Sequence, residues 1–104
     1  MLLTTTSQIS GTEITEYKGI VNGEVILGAN LFEACIEPII FTGGRSAVYE
    51  EVLKKAKEEA IHEMKQEAKK LGANAIIGID IDYEMIGTGM LMVAVSGTAV
   101  IIKE

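Results

Sequence analysis

Cysteine, proline and histidine each occur once in this 104-residue chain, tryptophan is absent, and aromatic residues make up only 5%. Each scarcity excludes something. A lone Cys35 rules out an intrachain disulfide and any close-set pair of thiolates for zinc. A lone His62 leaves no second imidazole for a histidine metal cluster, and Gln66 stands where a zinc protease helix would carry its second histidine. Cationic residues are also few. Nine Lys and Arg face fifteen Asp and Glu, for a net charge of −6. Such a chain cannot release counterions from a nucleic-acid backbone and is repelled by anionic lipid, so neither nucleic acid nor membrane is expected as a partner. The first ten residues, MLLTTTSQIS, have no basic stretch and no long apolar run. They do not form a signal peptide, and with no disulfide framework the expected compartment is the cytoplasm.

What the chain has in abundance is aliphatic surface. Hydrophobic residues make up 48% despite the shortage of aromatics, so Ile, Val, Ala, Leu and Met dominate. The length fits one domain, residues 1–104, with a core large enough to fold without cross-links. So much aliphatic surface in so short a chain points to self-association. Residues 85–102 carry no charge and have the length of a membrane span. Three glycines (Gly87, Gly89, Gly97) and a concentration of β-branched residues instead predict a turn at Ile86–Gly89 followed by a buried strand.

The patterns predict an α+β fold. Thr12–Val21 and Glu24–Leu27 read as strands. Between them Asn22-Gly23 is a strong hairpin signal, with a bulge in one long strand as the alternative. A long helix is predicted over about 46–71. Ser46 is a suitable N-cap, Gly72 a suitable stop, and Val48, Val52, Leu53, Ala56, Ala60, Met64, Ala68 and Leu71 form one stripe. Ala75–Glu84 then alternates, with Ile77, Ile79, Ile81 and Tyr83 on one face and Gly78, Asp80, Asp82 and Glu84 on the other. Met90–Ile102 is apolar on both faces. One helix covers only one face of a small sheet, so the second is expected to meet a neighbouring subunit.

Four groups of residues have the chemistry of a site. Gly43-Gly44-Arg45-Ser46 precedes the helix, where backbone amides, the helix dipole and the Arg45 fork suit an anion; the same residues also serve as a plain turn and cap. Asp80, Asp82 and Glu84 stand roughly 7 Å apart along their strand, a row that suits a hard divalent cation shared between subunits or simply a solvated face. His62 has Glu58 and Gln66 one turn away on the helix. Cys35 with Met85, Met90 and Met92 offers soft donors for a heavy metal, or ordinary core packing. No acid–base pair or nucleophile–base spacing stands out, and no catalytic activity is inferred.

Several motifs in order carry a family resemblance. They are Glu16-Tyr17-Lys18-Gly19-Ile20-Val21 with Gly23-Glu24, Gly43-Gly44-Arg45-Ser46 with Tyr49-Glu50, Leu71-Gly72-Ala73-Asn74-Ala75 with Gly78, Asp82-Tyr83-Glu84, and Ser96-Gly97-Thr98-Ala99-Val100. Together the chain resembles the YbjQ-like family of small, functionally uncharacterised prokaryotic proteins, often labelled heavy-metal-binding. The resemblance implies a two-layer β-α-β-β core, with a mainly antiparallel sheet covered on one face by the helix. It also implies a ring-shaped homo-oligomer, a pentamer. Read with the residues, the expected function is that of an oligomeric binding or scaffold protein. The alternatives are a metal-binding protein with ligands at subunit contacts and an anion-binding enzyme at the Gly43–Ser46 turn.

Overall fold

Small and apolar residues recurring at three and four build the longest element. The computed structural model describes residues 1–28, 47–87 and 89–103, leaving out the side chains of residues 47–49. In it, helix α1 spans Ala47–Lys70. Ala56, Ala60, Met64 and Ala68 are buried, with Val52, Leu53 and Ile61 half-buried beside them. Leu71, expected to end the stripe, lies past the helix and is exposed. The helix closes as a Schellman motif. The Gly72 amide donates to the Lys69 carbonyl at 3.0 Å and the Ala73 amide to the Ala68 carbonyl at 3.1 Å, while Gly72 takes a φ of 81° that only glycine adopts without strain.

Four strands form one mixed sheet: β1 (Leu2–Leu3), β2 (Ile14–Leu27), β3 (Ala75–Met85) and β4 (Leu91–Ile102), in the order β1-β3-β4-β2. β1 runs parallel to β3, and β4 runs antiparallel to both β3 and β2. The α+β expectation therefore holds, in two layers, with the one helix among the described residues on one face of the sheet. The turn expected at Ile86–Gly89 joins β3 to β4, closed by Ile86 donating to the Met90 carbonyl at 3.0 Å. The uncharged stretch 85–102 is thus strand end, turn and strand, and no helix among the described residues is long and apolar enough to cross a membrane.

Two strand expectations are corrected. Asn22-Gly23 makes no hairpin, and no bulge either. β2 runs straight through it, with Asn22 opposite Ser96 and Gly23 opposite Val95. Its irregularities fall earlier, between Ile14 and Glu16 and between Tyr17 and Gly19. The glycine is there for packing. A β-carbon on Gly23 would collide with the Ala60 carbonyl oxygen and lie 3.0 Å from the Met64 amide nitrogen, so α1 rests directly on the backbone of β2. In β3, the register shift between Ile77 and Asp80 reverses the alternation at Gly78, whose φ is 61°. Ile77 therefore lies on the face opposite Ile79, Ile81 and Tyr83.

The core has two sides. Under α1, Val21, Ala60, Met64, Ala68, Ile76, Val95 and Ala99 pack together, continued by Leu27, Ala56, Leu91 and Val93. On the other face, free of any helix among the described residues, a smaller cluster of Ala75, Ile77 and Val100 is covered by Ile9, Ile14 and Ile102. The N-terminal segment thus covers part of the face expected to need a neighbour. That segment is tied along β3 by Thr4 donating to the Ile76 carbonyl (3.0 Å), Gly78 to the Thr6 carbonyl (2.8 Å) and Ile79 to the Thr4 carbonyl (3.1 Å). Asn74 finishes the end of β4. Its side-chain amide donates to the Ile102 carbonyl at 3.0 Å and its side-chain oxygen accepts from the Ile102 amide at 2.7 Å, replacing a missing strand.

Gly23→Ala should destabilise the fold by about 1–3 kcal/mol, because the clash is with helix backbone and cannot be relieved by turning a side chain. Gly28→Ala, at an exposed site with open space around it, should be close to neutral. Urea unfolding of the two variants checks this, and equal midpoints would refute it.

Candidate functional site

The strand registers assign the helix-free face row by row. Ile26, Met92 and Glu84 are neighbours across β2, β4 and β3; the next rows are Glu24, Ala94 and Asp82, then Asn22, Ser96 and Asp80, then Ile20, Thr98 and Ile77. This face has two characters. Along β2 large apolar side chains stand in water, Tyr17 68%, Ile20 81% and Ile26 52% exposed, with Asn22 and Glu24 between the two isoleucines. Along β3 it is the acidic row, with Asp80, Asp82 and Glu84 all exposed. The clean strand period places the three carboxylates together, as expected from the sequence.

The carboxylates interact. Asp82 holds its proton above the ordinary carboxylate range, chiefly because the Asp80 side chain hydrogen-bonds it, then because of the charge of Asp80, partial desolvation and the charge of Glu84.

The outer side of β3 is the second distinctive feature. β1 and the following residues pair with it only as far as Ile79. Thr4 and Thr6 then turn the chain away, their hydroxyls 2.8 Å apart and the Thr6 hydroxyl donating to the Gln8 carbonyl at 2.6 Å. From Asp80 to Met85 no strand among the described residues pairs with this edge. Its helix-side residues become progressively more exposed, from half-buried Ile79 and Ile81 to Tyr83 (51%) and Met85 (54%). The reason is that α1 lies over β2 and β4 and leaves the far half of β3 uncovered.

The other expected site residues separate. His62 is exposed on α1, in the layer opposite the carboxylate row, so one chain cannot bring them to one ion. Among the described residues no three His, Cys, Asp or Glu side chains are placed to hold a metal. Cys35 and Gly43-Gly44-Arg45-Ser46 lie outside the described residues. On the exposed side of α1, Lys55 meets Glu51, one turn away, at 4.0 Å. Two shallow hollows accompany these features. One of about 260 Å³ is lined by Gln8, Ile9, Thr12, Ile14 and Tyr17. Another of about 210 Å³ is lined by Val25, Leu27, Val52, Lys55, Ala56 and Glu59. The open edge of β3 is the feature that sequence reading missed, because pairing of a strand's outer side leaves no mark in its own residues.

Fold and site together define a two-layer α+β protein distinguished by surfaces: an apolar band, an acidic row and an open strand edge. Comparison with known proteins gives the family and agrees on the fold. Residues 1–103 match the YbjQ family, whose description reads "Putative heavy-metal-binding", and this chain belongs to that family. It is similar to the protein named "UPF0145 protein" from Bacillus cereus (strain ATCC 14579), 57% identical over 103 residues, covering 96% of this chain and 98% of the relative. The protein of the same name from Bacillus cereus (strain ATCC 10987 / NRS 248) is 56% identical over the same shares. Among solved structures, a protein of unknown function of the DUF74 family from Pediococcus pentosaceus ATCC 25745 has the same fold, with a TM-score of 0.62 over 99% of this chain and 98% of that one at 19% identity. None of these names specifies a reaction.

Asp80→Asn should return the Asp82 titration midpoint toward the ordinary range, followed by carboxyl-carbon NMR. The sign for stability follows. A raised folded-state value means that the folded chain holds this proton more tightly, so the pair adds stability as pH falls through the window between the raised and ordinary values, and that stability is lost as pH rises through it. An unmoved midpoint in Asp80→Asn would show that Asp80 is not what raises Asp82.

Proposed function

We propose that this chain works as a homo-oligomeric, non-enzymatic binding protein of the cytoplasm. Its subunits associate through the part of the helix-free face that the N-terminal segment leaves open. The observation that carries the reading is the exposure of Tyr17, Ile20 and Ile26 on β2, large apolar side chains standing in water, with half-buried Met92 beside Ile26. Such side chains are stabilised by transfer out of water, at about 25 cal/mol per Å² buried. A second copy supplies an apolar surface of the same kind, and a rotationally closed ring, a pentamer as the family resemblance implies, hides every such band at once. The compartment is supported by the single cysteine and the acidic net charge.

The family's description favours metal binding as a second reading. The described residues do not converge on an ion within one chain, and this reading places the ligands at subunit contacts, drawn from Cys35, His62, Asp80, Asp82 and Glu84. Native mass spectrometry with zinc, copper and nickel decides it, and no retained metal would end it.

Light scattering coupled to size exclusion tests the oligomer. The wild-type protein should elute at a multiple of its chain mass at micromolar concentration, and Ile20→Lys with Ile26→Lys should reduce it to one chain mass with an unchanged circular dichroism spectrum. A wild-type monomer would refute the reading.

A further inference from the structure

The open edge of β3 lies on a different strand from the apolar band and poses its own problem. Unpaired strand edges are ordinarily guarded by bulges, by charged side chains or by a covering element. The outer strand β2 has such guards. It bulges twice near its start, carries the Lys18–Glu16 ion pair at 3.2 Å, and Glu67 from α1 reaches over to the Asn22 amide at 3.5 Å. From Asp80 to Met85, β3 keeps a regular register with β4 and has no bulge, proline or lysine. No strand among the described residues pairs with its outer main-chain groups, and it presents an apolar row of Ile81, Tyr83 and Met85 toward the helix side and an acidic row of Asp80, Asp82 and Glu84 on the other.

We propose that this edge, Asp80–Met85, is a docking strand for an extended segment of a partner protein in which lysine or arginine alternates with apolar residues. Strand addition supplies the main-chain hydrogen bonds, and the side chains alternating to either face set the specificity. On the helix-free face each incoming residue stands about 5 Å from a β3 carboxylate, where opposite charges attract and like charges repel. On the other face it meets Ile81, Tyr83 and Met85, whose exposed area it removes from water. The carboxylate row also decides against a second copy of this chain. The β3 edge of another copy would bring three carboxylates against three, and β2, with Ile20, Asn22, Glu24 and Ile26 on that face, offers them no free cation. The acidic row is thus a barrier to self-pairing and a selector for a basic strand.

Fluorescence anisotropy with the full chain tests this with three labelled peptides: six residues alternating lysine and valine, a scrambled peptide of the same composition, and a version with glutamate for lysine. The alternating peptide should bind, and the other two at least about tenfold more weakly. Asp82→Lys should weaken binding by about tenfold or more, and Tyr83→Ser should also weaken it, because these contacts lie on opposite faces of the docked strand. Glu58→Lys with Glu59→Lys on the exposed side of α1 should leave binding within about twofold of wild type. Amide NMR shifts on titration should concentrate at residues 80–85. Equal binding of the scrambled peptide, shifts confined to α1, no binding, or an oligomer mass that falls in Tyr83→Ser would each overturn the proposal. The last outcome would place a second copy on this edge. Because the Ile20 and Ile26 variants test another strand, failure of the oligomer reading and failure of this one are separable.

Discussion

The contact between the Gly23 backbone and the Ala60 carbonyl sets the rest of the architecture. It brings α1 down onto β2 at a distance that no residue with a β-carbon permits. With the helix axis held there, the small residues Ala56, Ala60 and Ala68 suffice to fill the layer between helix and sheet, and Met64 fills what they leave. The scarcity of aromatic residues makes sense in this light: a helix seated on a glycine needs thin side chains beneath it.

The same seating decides what is left uncovered. A helix centred on β2 and β4 cannot also shield the far half of β3, so Tyr83 and Met85 stand in water on the helix side. On the reverse side, the N-terminal segment reaches along β3 as far as Ile79 and seats Ile9 against Ala75, Ile77 and Val100. It leaves at the bulge at Gly78, where the alternation reverses and the strand begins its acidic half. One irregularity thus ends the pairing with the N-terminus, carries Ile77 to the helix-free face and begins the carboxylate row. The apolar band, the acidic row and the open edge are three results of two placements, that of the helix and that of the N-terminal segment.

Most of the helix was legible, because a stripe at three and four with Gly72 behind it has a single reading. The β3–β4 hairpin was legible for a similar reason, since Gly87 and Gly89 interrupt an otherwise continuous apolar run. Asn22-Gly23 misled because glycine has two uses. A turn needs its conformational freedom and a close packing contact needs its missing β-carbon, and the local sequence is the same in both cases. Ile77 misled because a glycine bulge reverses the alternation without altering the hydrophobic pattern. Of the candidate site, the carboxylate row could be read directly from the strand period. The separation of His62 from it could not, since that depends on which face of the sheet the helix covers.

The sequence by itself determined the helix, its end at Gly72, the two later strands, the acidic row and the surplus of aliphatic surface, because each depends on spacing within a few residues of chain. Tertiary structure alone decided that β2 is one strand, that Asn74 closes the end of β4, that the N-terminus covers part of the second face, and that no strand among the described residues pairs with the outer edge of β3 beyond Ile79. These depend on contacts between residues distant in sequence, where one glycine or one isoleucine takes its role from what is folded against it.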